Sequence, residues 1–229
     1  MSQMPESQWH NLELLPAELP VWCLSRHSLR EKADQAVAGY DLPLTAAGVA
    51  LAYQWGERLP RPLSRAVSSP VGRCQETLRA ILQAQHNEMH WQTSSNLVEP
   101  GAFVVEPQLV LPDFFRMGPL AFANRHLEEH VVPGVLTPMQ GVMKLVQHLR
   151  AFTPEPGTLS LHITHDTVLA AFIYSLMGVS RISQADWPHM MEGAWIWFEG
   201  STIHWLWRGQ KADRELLDGP VLEEPGEGC

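Results

Sequence analysis

Residues 21–32 read VWCLSRHSLREK. The run from Val21 to Leu24 is apolar and suits a buried strand, yet it ends in Arg26, His27 and Ser28, with Arg30 and Lys32 close behind. Cations repel one another where a strand leaves a core, unless a negative group visits or the side chains fan apart. The stretch therefore starts a fold pattern and marks the end of its first strand as a candidate anion site.

Outward from it, strand and helix signals alternate. PLTAAGVALAYQWGERL opens with Thr45 as a helix N-cap and carries Val49, Ala52, Tyr53 and Leu59 at one-face spacing. SRAVSSP reads as a second strand stopped at Pro70, and VGRCQETLRAILQAQ as a helix burying Val71, Leu78, Ile81 and Leu82. EMHWQTSSNLV contains a third strand leading towards Glu99. Residues 100–138, with several prolines and glycines, read as a connection or partial cap holding one helix at LAFANRHLEEHV. MQGVMKLVQHLRAF is an amphipathic helix, TLSLHITHD a strand, and TVLAAFIYSLMG an apolar helix closed by Gly178. GAWIWFEGSTIHWLWRG has the pattern of a hairpin turning at Glu199-Gly200. The acidic, Gly- and Pro-rich tail from Lys211 to Cys229 is expected to be flexible. The whole predicts one α/β domain spanning residues 1–229: a three-layer α/β/α sandwich on a mainly parallel sheet, with an antiparallel pair at one edge. In such sheets ligands sit beyond the carboxyl ends of the strands.

A chain of 229 residues can bury a core that needs no disulfide or structural metal. The formal net charge of -9 argues against a nucleic-acid partner, so any positive patch is local and suits a small anion. No apolar run is long enough to span a bilayer, and MSQMPESQWHNLELLP lacks the basic start and apolar stretch of a signal peptide. Cys23, Cys74 and Cys229 have no paired spacing, which suits a reduced, cytoplasmic setting. The 11 histidines form no HxH, HxxxH or HExxH unit, so no metal site is expected.

Three strand ends carry unusual polar content: Arg26-His27, Ser68-Ser69 followed by Arg73, and His165-Asp166. If these strands are neighbours, their ends share one cleft. Arginine offers a planar fork of donors that fits phosphate oxygens, and a phosphate monoester carries about −1.5 to −2 charges near neutral pH. Arg26, Arg30 and Arg73 can neutralise that charge. An imidazole among arginines is pushed towards its neutral form, and neutral imidazole is a competent nucleophile at phosphorus. Asp166 is placed to protonate a leaving alkoxide, although an Asp just before a helix is also a common N-cap.

SRHSLR, LPLTAAG, SSPVGRCQET and HITHD, in that order, resemble the successive landmarks of the histidine phosphatase superfamily, which has the phosphoglycerate mutase-like fold. The resemblance runs from about Val21 to Phe198. It implies His27 as the residue that becomes phosphohistidine, with Arg26, Arg73 and His165 forming the phosphate pocket. His165 followed by Asp166 is similar to the acid-phosphatase and phytase branch, in which that Asp donates the proton, and Arg30 matches a further arginine of that branch. Ser28 stands where the family usually has Gly, and Lys32 where the branch usually has Pro. The mutase-like branch places its acid on a mid-chain Glu, for which Glu99 is the counterpart. That branch commonly has an Asn shortly after its Arg-His-Gly, and none occurs here between His27 and Asn87.

The expected activity is hydrolysis of a small-molecule phosphate ester, releasing inorganic phosphate, with no metal or organic cofactor. The catalytic set is His27, His165 and Asp166, with Glu99 as the alternative acid, and Arg26, Arg30 and Arg73 bind substrate. The alternatives are a non-catalytic phospho-ligand binder of the same fold and, less favoured, a phosphomutase. Trp187 to Phe198 reads as core and cross-strand aromatic pairs, and His162 as structural. Neither the substrate nor the oligomeric state is legible.

Overall fold

The computed structural model describes residues 5–31, 42–98, 101–129 and 131–216. Glu99, Lys32 and Cys229 lie outside the described residues. Seven strands, β1 (Val21–Arg26), β2 (Leu63–Ser68), β3 (Gln92–Thr93), β4 (Leu159–Thr164), β5 (Gly193–Glu199), β6 (Thr202–Trp207) and β7 (Gln210–Glu215), form one sheet in the order β3-β2-β4-β1-β5-β6-β7. The pairs β3-β2, β2-β4 and β4-β1 are parallel, and β1-β5, β5-β6 and β6-β7 antiparallel. The six α-helices are α1 (Ala46–Glu57), α2 (Gly72–Ala84), α3 (Pro107–Met117), α4 (Pro119–Glu129), α5 (Pro138–Ala151) and α6 (Asp166–Met177).

Alternation along the strands builds the layers. Val21 and Cys23 of β1, Leu159, Leu161 and Ile163 of β4, and Trp195 and Trp197 of β5 pack with α1 and α2 on one face. Trp22, Leu24, Ala194 and Ile196 turn the other way, against α4, α5 and α6. This is the expected α/β sandwich, parallel at its centre, and β4 lies directly between β1 and β2. All three strand ends singled out for their polar content therefore emerge side by side.

Several elements depart from the sequence expectation. The third strand is only Gln92–Thr93, and residues 211–215, expected in a flexible tail, complete β7; residues 217–229 lie outside the described residues. Between 101 and 129 there are two helices where one was expected, because α3 carries Pro112 inside it and leaves Leu109 and Phe115 exposed. Both features hide a helical pattern. Thr45 does cap α1, its side chain accepting from Gly48 N–H. The buried face of α1 is Gly48, Leu51, Ala52, Trp55 and Gly56, however, while Val49 is exposed. A Cβ on Gly48 would collide with the Leu29 carbonyl, so only glycine lets α1 abut the turn that follows β1.

Three β4 side chains, Ser160, His162 and Thr164, are buried on the α5 face. His162 Nε2 lies 2.9 Å from Ser160 Oγ, and its Nδ1 lies 3.3 Å from His148 Nε2. Burial holds His148 at about 4, and burial followed by the nearby His148 holds His162 well below its ordinary value. Both bases are thus harder to protonate folded than unfolded. The stability they allow is present above about pH 6.5 and declines as pH falls towards the folded values, by roughly 2 kcal/mol per histidine between pH 6.5 and 5. Urea unfolding at pH 7 and pH 5 should show a large loss for the native chain and a smaller one for His148→Gln.

Candidate active site

The polypeptide leaves β1 through Arg26, His27 and Ser28, which the neighbouring strands and helices hold rigidly. His27 N–H donates to the Thr164 carbonyl at the end of β4, and Arg26 N–H to the Glu192 carbonyl just before β5. Ser28 is buried, donates its N–H to Thr77 Oγ1 at 3.0 Å and its hydroxyl to the Gly48 carbonyl at 2.7 Å. It is not among the described residues with positive φ, so the serine fits without backbone strain. Its carbonyl in turn lies 2.7 Å from His27 Nδ1.

Arg73, in the first turn of α2 and 4 % exposed, stands between two imidazoles. Its Nε donates to His27 Nε2 at 3.0 Å, and its Nη2 lies 3.0 Å from His165 Nδ1. A guanidinium has only donors, so both contacted ring nitrogens are acceptors. The proton of His27 therefore sits on Nδ1, facing the Ser28 carbonyl, and the proton of His165 on Nε2, facing Ser69 Oγ at 3.0 Å. This leaves a lone pair on each imidazole directed at one guanidinium. The rings lie 5.4 Å apart, edge to face.

Both imidazoles are neutral at neutral pH. Burial, then competition for a proton with His165, then the charges of Arg73 and Arg26, press His27 well below its ordinary value, with the Ser28 carbonyl pulling the other way. Burial and then Arg73 bring His165 to about 3. Sequence reasoning expected neutral histidines because of nearby arginines; in the structure burial is the larger cause.

Asp166 is the first residue of α6, and His165 occupies the N-cap position, so Asp166 is not the cap. One carboxylate oxygen accepts from the Thr167 backbone N–H at 2.9 Å. The other forms a 2.5 Å ion pair with Arg26 and accepts the Trp187 indole N–H at 3.2 Å. Burial alone would push the carboxyl up, but the Arg26 guanidinium, with His27 and the Trp187 N–H behind it, holds it below its ordinary value. Arg26 also donates to the Pro188 carbonyl, and its Nε has no partner among the described residues.

The structure thus brings Arg26, His27, Arg73, His165 and Asp166 together. Arg30 stands farther out, bonded to the Glu31 carbonyl, though its charge still helps to depress His165. Sequence reasoning did not assign roles to Ser69, Thr77, Trp187, Glu192 or Arg208. The two serines after β2 gave a local signal for Ser69. Trp187 read as core, since nothing local ties it to a carboxylate 21 residues earlier.

Among the described residues no group of His, Cys, Asp and Glu could hold a metal ion, and no helix is long and apolar enough to cross a membrane.

No curated protein matches the chain by sequence. Among solved structures, Bacillus stearothermophilus YhfR is similar at 19% identity and TM-score 0.52, covering 82% of this chain and 96% of that one. A mycobacterial glucosyl-3-phosphoglycerate phosphatase is similar at 16% identity and TM-score 0.51, covering 77% and 89%. Phosphoglycerate mutase from Bacillus anthracis is similar at 12% identity and TM-score 0.52, covering 87% and 93%. These likenesses establish the phosphoglycerate mutase-like fold. They do not extend to the acid-phosphatase and phytase subtype suggested by His165-Asp166, and the family profile that matches, over residues 22–209, is that of branch 1. With that match spanning most of the sequence, the chain belongs to the histidine phosphatase superfamily.

Proposed function

We propose that the protein hydrolyses phosphate monoesters through a phosphohistidine on His27. The observation that carries this reading is Arg73 donating at 3.0 Å to His27 Nε2 and lying 3.0 Å from His165 Nδ1. In this reading His27 is the neutral nucleophile, with a second imidazole and a fixed cation beside it. Arg26 and Arg30 add positive charge beside this set.

As a phosphoryl oxygen takes over the Arg73 Nε–H, the His27 Nε2 lone pair is released and forms the N–P bond while the P–O bond to the ester oxygen breaks. The guanidinium groups meet the charge spread over the transferring phosphoryl oxygens. Asp166 gives its proton to the departing alkoxide. Water then attacks phosphorus, its proton passes to the Asp166 carboxylate, and the N–P electron pair returns to Nε2 as inorganic phosphate leaves.

The ion pair with Arg26 favours ionised Asp166 in the empty site, which suits a base better than an acid. A substrate dianion reverses this balance: it competes for Arg26 and sets a like charge beside the carboxylate, which raises its affinity for a proton. Asp166→Asn should slow hydrolysis of an alkyl phosphate by about 100-fold or more, and of para-nitrophenyl phosphate by less than tenfold, because a nitrophenolate leaves without protonation. Equal losses on the two esters would move the acid to another group, Glu99 first.

The direct test of the activity is para-nitrophenyl phosphate turnover with and without EDTA. Turnover unaffected by chelation supports the proposal. Absence of turnover over a broad pH range favours a phospho-ligand binding protein, and turnover that requires added metal would replace the mechanism altogether.

A further inference from the structure

The loop from Ser183 to Glu192 has no catalytic group of its own in the mechanism above, yet it is heavily braced. Ser183 and Asp186 cap each other, Ser183 N–H and Oγ donating to Asp186 Oδ2 at 2.8 and 2.7 Å. Tyr174 of α6 donates its hydroxyl to the Asp186 carbonyl at 2.6 Å. Arg208, in the turn between β6 and β7, reaches across to the same loop. Its Nη1 donates to the Ala185 carbonyl at 3.2 Å, and its Nη2 to the Asp186 and Trp187 carbonyls at 3.1 and 3.2 Å. Its Nε and Nη2 also engage both oxygens of Glu192 at 2.8 and 3.0 Å. Glu192 is fully buried, accepts the His189 N–H at 2.9 Å, and through its own carbonyl accepts Arg26 N–H.

Two backbone features point the same way. Arg208 and Gly209 have φ of 52° and 75° and lie between the paired residues Trp207 and Gln210, which makes a two-residue hairpin turn. Such a turn favours Asn, Asp or Gly at its first position, so an arginine there is held against local preference. Met191, buried beside Glu192, also has a positive φ, at 62°, and its N–H lies 3.4 Å from the His27 carbonyl. Strain of this kind persists where surrounding contacts over-determine it.

The residues so anchored are those that touch the site: the Trp187 indole on Asp166 and the Pro188 carbonyl on Arg26. We propose that Arg208 and Glu192 are positioning residues, an ion pair between a half-buried arginine and a fully buried carboxylate that fixes the Trp187-Pro188 segment and thereby orients Asp166 and Arg26 towards His27. Neither touches the reacting atoms. This rests on the phosphatase reading for its kinetic consequence but not for its structural one.

The double variant Arg208→Asn/Glu192→Gln removes both charges and places a turn-favoured residue at 208, so the brace is lost without leaving a buried charge unpaired. Arg208→Lys keeps the cation and loses the fork. In both, the Trp187 indole N–H resonance, assigned by its disappearance in Trp187→Phe, should move away from its native position. The rate on an alkyl phosphate should fall roughly tenfold to a hundredfold, more than on para-nitrophenyl phosphate. Inhibition by inorganic phosphate should weaken. An indole resonance and phosphate inhibition both unchanged in the double variant would overturn the proposal. Asp166→Asn run alongside separates the two failures. If it leaves the alkyl-to-aryl ratio unchanged, the acid assignment has failed, and the indole resonance still decides whether Arg208 and Glu192 set the loop.

Discussion

His27→Asn should lower turnover of any phosphate ester by about 10⁴-fold or more, because in the proposed mechanism His27 alone takes the phosphoryl group. His165 is also neutral, but its Nε2 proton faces Ser69 and its Nδ1 lone pair is directed at Arg73. The variant should stay folded. Removing the ring leaves Arg73 Nε without its acceptor, a loss of roughly 1–3 kcal/mol, which lowers Tm without abolishing the transition. Activity within tenfold of the native chain, measured on para-nitrophenyl phosphate, would rule out His27 as the nucleophile.

Arg73→Lys should be nearly as damaging, although the charge is kept. A lysine ammonium can meet one imidazole or the other, but it cannot donate to His27 Nε2 and His165 Nδ1 together as the fork does. Both ring tautomers then lose the contact that fixes them. The phosphoryl oxygens lose a preorganised pair of donors, and removal of one such donor in a comparable site costs about 10²- to 10³-fold. kcat/KM should fall by that amount, with weaker inhibition by inorganic phosphate. A change below threefold would mean that charge alone, not the planar fork, is what the pocket supplies.

Most of what positions this site could be read from local chemistry. The strand ends carry their polar residues in runs, Thr45 signals its helix start, and Gly178, with φ of 68°, closes α6 as an αL residue. The parallel direction of β1, β2 and β4 follows from alternation of strand and helix, whereas the order that sets β4 between β1 and β2 is not legible in that pattern. The α1 face was misread because its contact with α2 is built on glycine: a Cβ on Gly56 would lie 2.8 Å from the Ile81 carbonyl, and glycine gives no hydrophobic signal. β7 was missed because Gln210–Glu215 is a polar edge strand, although Arg208-Gly209 after a strand was a usable turn signal.

Within the site, the groups that were legible are those whose type alone suggests chemistry. Trp187, Glu192 and Arg208 act through contacts that only the folded loop creates, and their residue types are equally at home in a core or on a surface. Asp166 shows the limit most clearly. Its position after His165 made it a candidate acid, but its ion pair with Arg26, which sets its protonation in the empty site, depends on two strands that are adjacent only in space.

Transfer of phosphate to His27 is the claim on which the rest depends, and rapid quenching with a labelled phosphate ester tests it directly. The expected result is an acid-labile, base-stable label that appears within one turnover, maps to the peptide containing His27, and is absent from His27→Asn. Turnover at full rate with no label on His27, or label on another residue, would contradict it.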